Sequence, residues 1–297
     1  MGLLKRMVGT RTALYRWSMA TLVANMGLVV TGAVVRLTGS GLGCPTWPHC
    51  SAGSFVPHSS MGIHSVIEFG NRLLTFVLII LSVMVVVAAT RTRASGHVRS
   101  LAWVVLVSIP LQGVVGGLTV LSDLNPFVVA LHLLLSVAII LVAVKIVWLV
   151  GRHPSAEVDA MTMGAVRGTV TLMVIVMWLG TVVTGSGPNA GDAGAHRTGF
   201  NIETVARFHG ISVWLTVGLT VICLLLGIMH KVAPLRRWAL ILLIVELCQG
   251  AVGYAQYFAH LDPWLVALHM VGVAVASMAV GALWSSVRPL RTPDLSR

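Results

Sequence analysis

Residues 112–132 and 249–269 are two copies of one pattern, 137 positions apart (Gln112 to Gln249, His132 to His269) and without a gap. Each opens on Gln-Gly, places another glycine three residues on, passes through Asn-Pro or Asp-Pro, and closes on Val-Ala-Leu-His. A copy of this kind means that the chain is two related halves, and a fold assigned without it would be misread. It also gives each half one histidine, His132 or His269, at the same position.

The halves are built for a bilayer. Of 297 residues, 57% are apolar and 10% charged, which excludes an ordinary soluble domain. A spanning helix needs about 20 apolar residues, and eight such runs occur, near 17–37, 63–89, 101–121, 127–150, 168–187, 202–229, 238–258 and 264–286. Little chain remains between them for a soluble catalytic domain. The expected fold is an all-α integral membrane protein of eight transmembrane helices in two pseudo-symmetric four-helix bundles, residues 1–151 and 168–297, joined by a polar linker at 152–167. Four helices per half is an even number, so both halves enter from one side and relate by an axis along the membrane normal.

A net charge of +11 would suggest nucleic acid in a soluble protein, but here it reads as topology. Sixteen of the twenty Lys and Arg fall at one set of helix ends: Lys5, Arg6, Arg11, Arg16, Arg91, Arg93, Arg99, Lys145, Arg152, Arg167, Lys231, Arg236, Arg237, Arg288, Arg291 and Arg297. The excess of positive charge on cytoplasmic loops then puts both termini of a multi-pass cell-membrane protein in the cytoplasm. The first helix is too long for a cleaved signal peptide. Four arginines depart from the pattern. Arg197 reads as a solvated loop residue, whereas Arg36, Arg72 and Arg207 lie within or against apolar helices, where a charge needs a partner and usually a function. Glu68, Glu203, Asp123 and Asp262 are the nearby acids, and a bound anion would supply the rest.

The remaining chemistry gathers toward the outer ends. Cys44 and Cys50, in GCPTWPHC, read as a small disulfide loop, with a metal site through His49 and His58 as the alternative. Cys223 and Cys248 read as buried, inert thiols. On the second helix His64, Glu68 and Asn71 share one face, and Glu68 precedes Arg72 by four positions, as a buried ion pair or a reactive site. Glycines 113, 116 and 117 let a neighbour or a flat ligand approach the third helix.

His132, His209 and His269 each lie about two turns below the outer surface on an even-numbered helix. One histidine in an apolar helix is more often hydrogen-bonded core than a ligand. Three at one depth, two of them related by the repeat, point instead to haem iron, for which imidazole is a standard axial ligand. Zinc would want more converging donors. Haem also accounts for the arginines, which can clamp its propionates, and for the glycines. His209 and His269 then form a bis-histidine pair in the second half. In the first half His132 faces Asn71, a poor iron ligand, and His64 lies seven residues away, about 10 Å further out. The second half reads as an electron-transfer centre and the first as a place where something reacts.

With VVRLTGSGLGCPTWPHC, IEFGNR, TVVTGSGPNAGDA, ARFHG and the paired NPFVVALH and DPWLVALH in hand, the chain resembles the haem A synthase family over essentially its whole length. That family oxidises a ring methyl of haem O to a formyl group for cytochrome c oxidase. The resemblance implies a haem b on His209 and His269, haem O as substrate near His132, a disulfide Cys44–Cys50 and a key carboxylate at Glu68. The family motif Glu-x-x-His-Arg stands here as Glu68-Phe69-Gly70-Asn71-Arg72, without its histidine, and Asn189 replaces another family histidine in the second outer loop. On this reading Glu68 moves a proton or stabilises positive charge at the reacting carbon. Arg36, Arg72 and Arg207 hold propionates, and His64 is a possible replacement ligand or proton carrier. Haem O as substrate leaves room for an electron donor, a haem O synthase and further copies of the chain as partners, none of which the sequence identifies. Two rivals are a di-haem b subunit that only passes electrons, which Asn71 opposes, and a transporter of parallel repeats, which would place its polar residues at mid-membrane.

Overall fold

The computed structural model describes residues 7–290, so Lys5, Arg6, Arg291 and Arg297 lie outside the described residues. Eight helices are long and apolar enough to cross a membrane. They are α1 (Arg11–Leu37), α2 (Gly62–Arg91), α3 (Gly96–Leu121), α4 (Pro126–Gly151), α5 (Ala160–Ser186), α6 (Ile202–Met229), α7 (Ala233–Phe258) and α8 (Pro263–Ser285). Backbone amides and carbonyls in hydrocarbon must be satisfied within the segment, so helices are what a chain of this composition can form there.

The ends nearer the long 38–61 loop fall where hydropathy puts them. At the opposite ends α2, α4, α6 and α8 stop within two residues of the apolar runs, whereas α1, α3, α5 and α7 begin at Arg11, Gly96, Ala160 and Ala233, five to eight residues before them. Hydropathy marks the part of a helix that meets lipid, whereas the hydrogen-bonded coil continues through Arg16, Arg99, Arg167, Arg236 and Arg237. The segment expected as a linker at 152–167 is therefore partly structured. Strand β1 (Ala156–Val158) pairs in parallel with β2 (Val287–Pro289). Asp159 then caps α5, accepting from the Thr162 amide at 2.8 Å.

Helices α1 to α4 pack in a closed ring, each against the next and α4 against α1, and α5 to α8 do the same. The rings meet through α4 with α8, α1 with α8, and α4 with α5. Without a hydrophobic drive between helices in lipid, such contacts depend on close van der Waals fit. The seam is correspondingly dense: Ile140, Ala143, Val144, Val147 and Trp148 of α4 interlock with Ala274 and Ala282 of α8 and Leu22 and Val29 of α1.

The turns repeat as well. Asp123 and Leu124 take left-handed φ values of 50° and 56° after α3, and His260 and Leu261, 137 positions on, take 54° and 63° after α7. Each turn ends in a cap whose side chain accepts from the amide two residues on, Asn125 from Phe127 and Asp262 from Trp264, followed by proline at the first helical position. Proline suits that position because its missing N–H would be unpaired there anyway.

At the arginine-rich end, α6 and α7 approach to backbone distance. A Cβ on Gly227 would sit 2.8 Å from the Arg236 nitrogen and 3.0 Å from its Cα. Gly227→Ala should cost about 1–3 kcal/mol, read as a lower thermal midpoint of the detergent-purified protein. The hydrogen bonds from Thr162 hold the Asp159 carboxyl below its usual range. That capping stabilisation is complete above the ordinary carboxylate range and is lost only as pH falls through the lowered folded value. Asp159→Asn should keep the cap and remove this acid-side loss from a pH series of melting curves.

Candidate functional site

One face of α2 and the loop before it form the most heavily bonded polar cluster. Glu68 is 5% exposed. Its Oε2 accepts from the Cys44 amide at 2.6 Å, and its Oε1 accepts from Arg72 Nε at 3.1 Å and from Arg72 Nη2. The Arg72 terminal nitrogens also donate to the carbonyls of Cys44, Thr46 and His49 at 3.0–3.3 Å. Cys44 and Cys50 are joined in a disulfide. The carboxylate is thus a fixed anion whose counter-ion also laces the loop to the helix. All three Arg72 nitrogens are committed to this cluster, which bears on its expected role as a propionate clamp.

The loop is held from the other side too. A Cβ on Gly43 would strike the His64 carbonyl, and one on Gly117 of α3 would strike the Trp47 indole. Gly43 and Gly117 therefore admit the loop backbone and its tryptophan; of the two readings open at Gly117, a neighbour or a flat ligand, a neighbour takes the space. His64 is exposed at the rim, its Nδ1 3.0 Å from the Ser40 hydroxyl. Two turns inward, Asn71 Oδ1 accepts from Thr31 of α1 at 2.8 Å.

The three deeper histidines are half-buried and each packs on a glycine. A Cβ on Gly116 would lie 3.2 Å from His132 Cε1, one on Gly253 would lie 3.7 Å from His269 Cε1, and one on Gly180 would lie 3.3 Å from His209 Cε1. Gly116 and Gly253 are themselves 137 positions apart, so both halves repeat the glycine–imidazole pair. His209 Nδ1 is 3.0 Å from the Val176 carbonyl of α5, which fixes the tautomer with Nε2 free. The Nδ1 atoms of His132 and His269 are buried without a partner among the described residues. An oriented imidazole on α6 and an orphaned one on α8 are donors of the kind that haem iron accepts, and in that sense the residues fit the group. No group of three or more His, Cys, Asp or Glu converges as a metal site among the described residues.

The outer arginines separate by environment. Arg36 Nε donates to the Asn189 carbonyl at 2.6 Å, and its terminal nitrogens make no hydrogen bond among the described residues. Arg207 is exposed near the start of α6. Arg197 donates to the carbonyls of Ala195 and Pro188, as befits a loop residue. Asn189 Nδ2 reaches the Leu261 carbonyl at 3.0 Å and so ties the second outer loop to the α7–α8 turn.

Residues 15–196 match the family described as cytochrome oxidase assembly protein, COX15-CtaA. The chain belongs to that family. A heme A synthase of Geobacillus kaustophilus is 26% identical over 273 residues, 84% of each chain. A second heme A synthase, of Geobacillus thermodenitrificans, is 30% identical over 174 residues, 55% of this chain and 53% of the relative. A protoheme IX farnesyltransferase of Halobacterium salinarum is 34% identical over 177 residues, which are 54% of this chain and 39% of that longer protein.

For this COX15-CtaA member one further polar residue went unread in the sequence: Glu246, buried at the middle of α7. An acid inside a spanning helix is itself a signal of function.

Removing one partner from a buried pair leaves the other uncompensated, at a cost of about 3–5 kcal/mol. Arg72→Met should therefore lower thermal stability by roughly that amount and open the 44–50 loop to protease. Adding Glu68→Gln to it should cost little more, and strict additivity of the two in a double-mutant cycle would contradict the clamp.

Proposed function

We propose that this chain is a haem A synthase that oxidises the haem O ring methyl to a formyl group through hydroxylated intermediates, for assembly of cytochrome c oxidase. The observation that carries the reading is the pairing of one buried, doubly anchored carboxylate, Glu68, with imidazoles set on glycines in both copies of the repeat. The Geobacillus heme A synthase, similar over 84% of its length, supports the same reading. In the second half His209 and His269 would hold a haem b. When bound, it supplies one-electron redox chemistry that no side chain here can perform.

The chain's own residues then do the following. His209 presents Nε2 because the Val176 carbonyl holds its other nitrogen. In the first half His132 offers one imidazole to the substrate iron, while Asn71 is turned to Thr31. A substrate that must leave is thereby not locked by two strong ligands. Glu68, with both oxygens already accepting hydrogen bonds, acts as a fixed negative charge that favours positive charge developing at the oxidised carbon. Proton transfer by Glu68 would require Arg72 to let go. Arg36 and Arg207 are the arginines placed to meet propionates, and His64, exposed at the rim with Ser40, serves the entrance. The arginine-rich helix ends face the cytoplasm and the Cys44–Cys50 loop faces outward. Similarity to part of a protoheme IX farnesyltransferase supports a partner that supplies farnesylated haem nearby.

The test is co-expression with a haem O synthase in a host that lacks haem A, followed by analysis of extracted pigments. The chain should convert haem O to haem A. Glu68→Gln should retain bound haem and accumulate haem O, with conversion down about 100-fold; unchanged conversion would remove the carboxylate from the mechanism. His209→Ala and His269→Ala should each lose the haem b absorption bands, whereas Asn71→Ala should not.

A further inference from the structure

The second half carries a carboxylate that the reading above does not use. Glu246 is 5% exposed, at the middle of α7. Its Oε1 accepts from Thr220 of α6 at 2.9 Å, and its Oε2 is buried with no partner among the described residues. The ion pairs among those residues are Glu68–Arg72 and Glu157–Arg288, so no cation neutralises it. Helix α7 packs against α6 and α8. Their titratable groups are Glu203, Arg207, His209 and Cys223 on α6 and His269 on α8. Cys223 is the one at the level of Glu246, with its sulfur 3.5 Å from Thr169 Oγ1 of α5.

The repeat shows that this acid is not shared packing. Going back 137 positions, Glu246 corresponds to Ile109, Gly272 to Leu135 and Val273 to Ser136. In the first half Gln112 donates to the His132 carbonyl at 3.1 Å and to the Ser136 hydroxyl at 2.6 Å. Its counterpart Gln249 has valine where that serine was, and its amide fills the space that a Cβ on Gly272 would take. Glu246, Gln249 and Gly253 share one face of α7 at spacings of three and four, and Gly253 is where the His269 ring packs. The carboxylate therefore lies two turns, about 10 Å, inward of His269, with an amide released from its partner between them.

We propose that Glu246 is the proton acceptor coupled to electron entry in the second half. This rests on the assignment of His209 and His269 as the haem pair. When a one-electron reductant lowers the charge on that iron by one, the Glu246 carboxylate binds one proton drawn from the arginine-rich end, and it releases the proton when the electron leaves. An ionised carboxylate in a low-dielectric interior needs a positive charge nearby. The oxidised iron supplies it and the reduced iron does not. Electron and proton together leave the charge of the span unchanged.

The test is redox potentiometry of the purified haem-loaded protein, with a mediated electrode supplying electrons at a series of pH values. The wild-type midpoint should fall as pH rises, because low pH favours the form that binds the proton. One pH unit is a tenfold change in proton activity, worth about 59 mV for a one-electron couple, and that is the limiting slope. Glu246→Gln should keep the haem spectrum and flatten the slope; equal slopes in the two proteins overturn the proposal. Should the variant fail to fold, reduced-minus-oxidised infrared spectra of wild type decide: reduction should add a carboxylic-acid carbonyl band, and its absence overturns the proposal. A protein without bis-imidazole absorption bands, or one that keeps them in His269→Ala, defeats the haem assignment and this inference with it. Intact bands with a pH-independent potential defeat the inference alone.

Discussion

A polar side chain within the hydrocarbon thickness has no water to turn to, and leaving it unpaired costs several kcal/mol. Most hydroxyls here meet that constraint locally, by donating to a carbonyl one turn back on their own helix: Ser18 to Leu14, Thr90 to Val86, Thr184 to Gly180 and Thr216 to Ser212. Such side chains are silent packing. The informative ones reach across to another element, as Thr31 does to Asn71, Thr220 to Glu246 and Arg72 to the loop carbonyls. Satisfaction of polar groups thus sorts the interior into scaffold and site without reference to any ligand.

The two halves share their scaffold and differ in their sites. Turns with left-handed residues at matched positions, proline-led helices and the glycine under each imidazole recur. Against that common ground the first half adds an anchored ion pair under a disulfide-closed loop, and the second adds a lone acid under a hydrogen-bonded histidine. The repeated positions carry the frame, and exchanges at a few facing positions change the polar contacts. Ser136 against Val273 is a case in which a single exchange changes what the neighbouring glutamine can bond, and Ile109 against Glu246 one in which it sets an acid on an apolar face.

Much of this was legible in the chain because hydropathy and repetition are long-range signals. The eight helices follow from runs of apolar residues, and the matched positions of His132 and His269 from a 137-residue copy; that each ring packs on a glycine is seen only in the fold. The helix starts at Ala160 and Ala233 were not legible, because hydropathy is blind to helix that has left the lipid. The commitment of Arg72 to loop carbonyls was not legible either. Sequence shows a charge that needs a partner but not which carbonyls a folded loop will present. At Gly117 the sequence left a neighbour and a flat ligand both open: a missing Cβ announces a close approach, and only the fold shows that Trp47 makes it.

The Arg36–Asn189 hydrogen bond has its donor on the first helix of one half and its acceptor in the outer loop of the other. Asn189 in turn grips the Leu261 carbonyl at the tip of the α7–α8 turn. A strap of two bonds thus crosses the seam between the rings. Moving the loop end of α1 away from the seam must either draw the α7–α8 turn along or break one of the two bonds, so polar contacts as well as packing hold the two rings in register there.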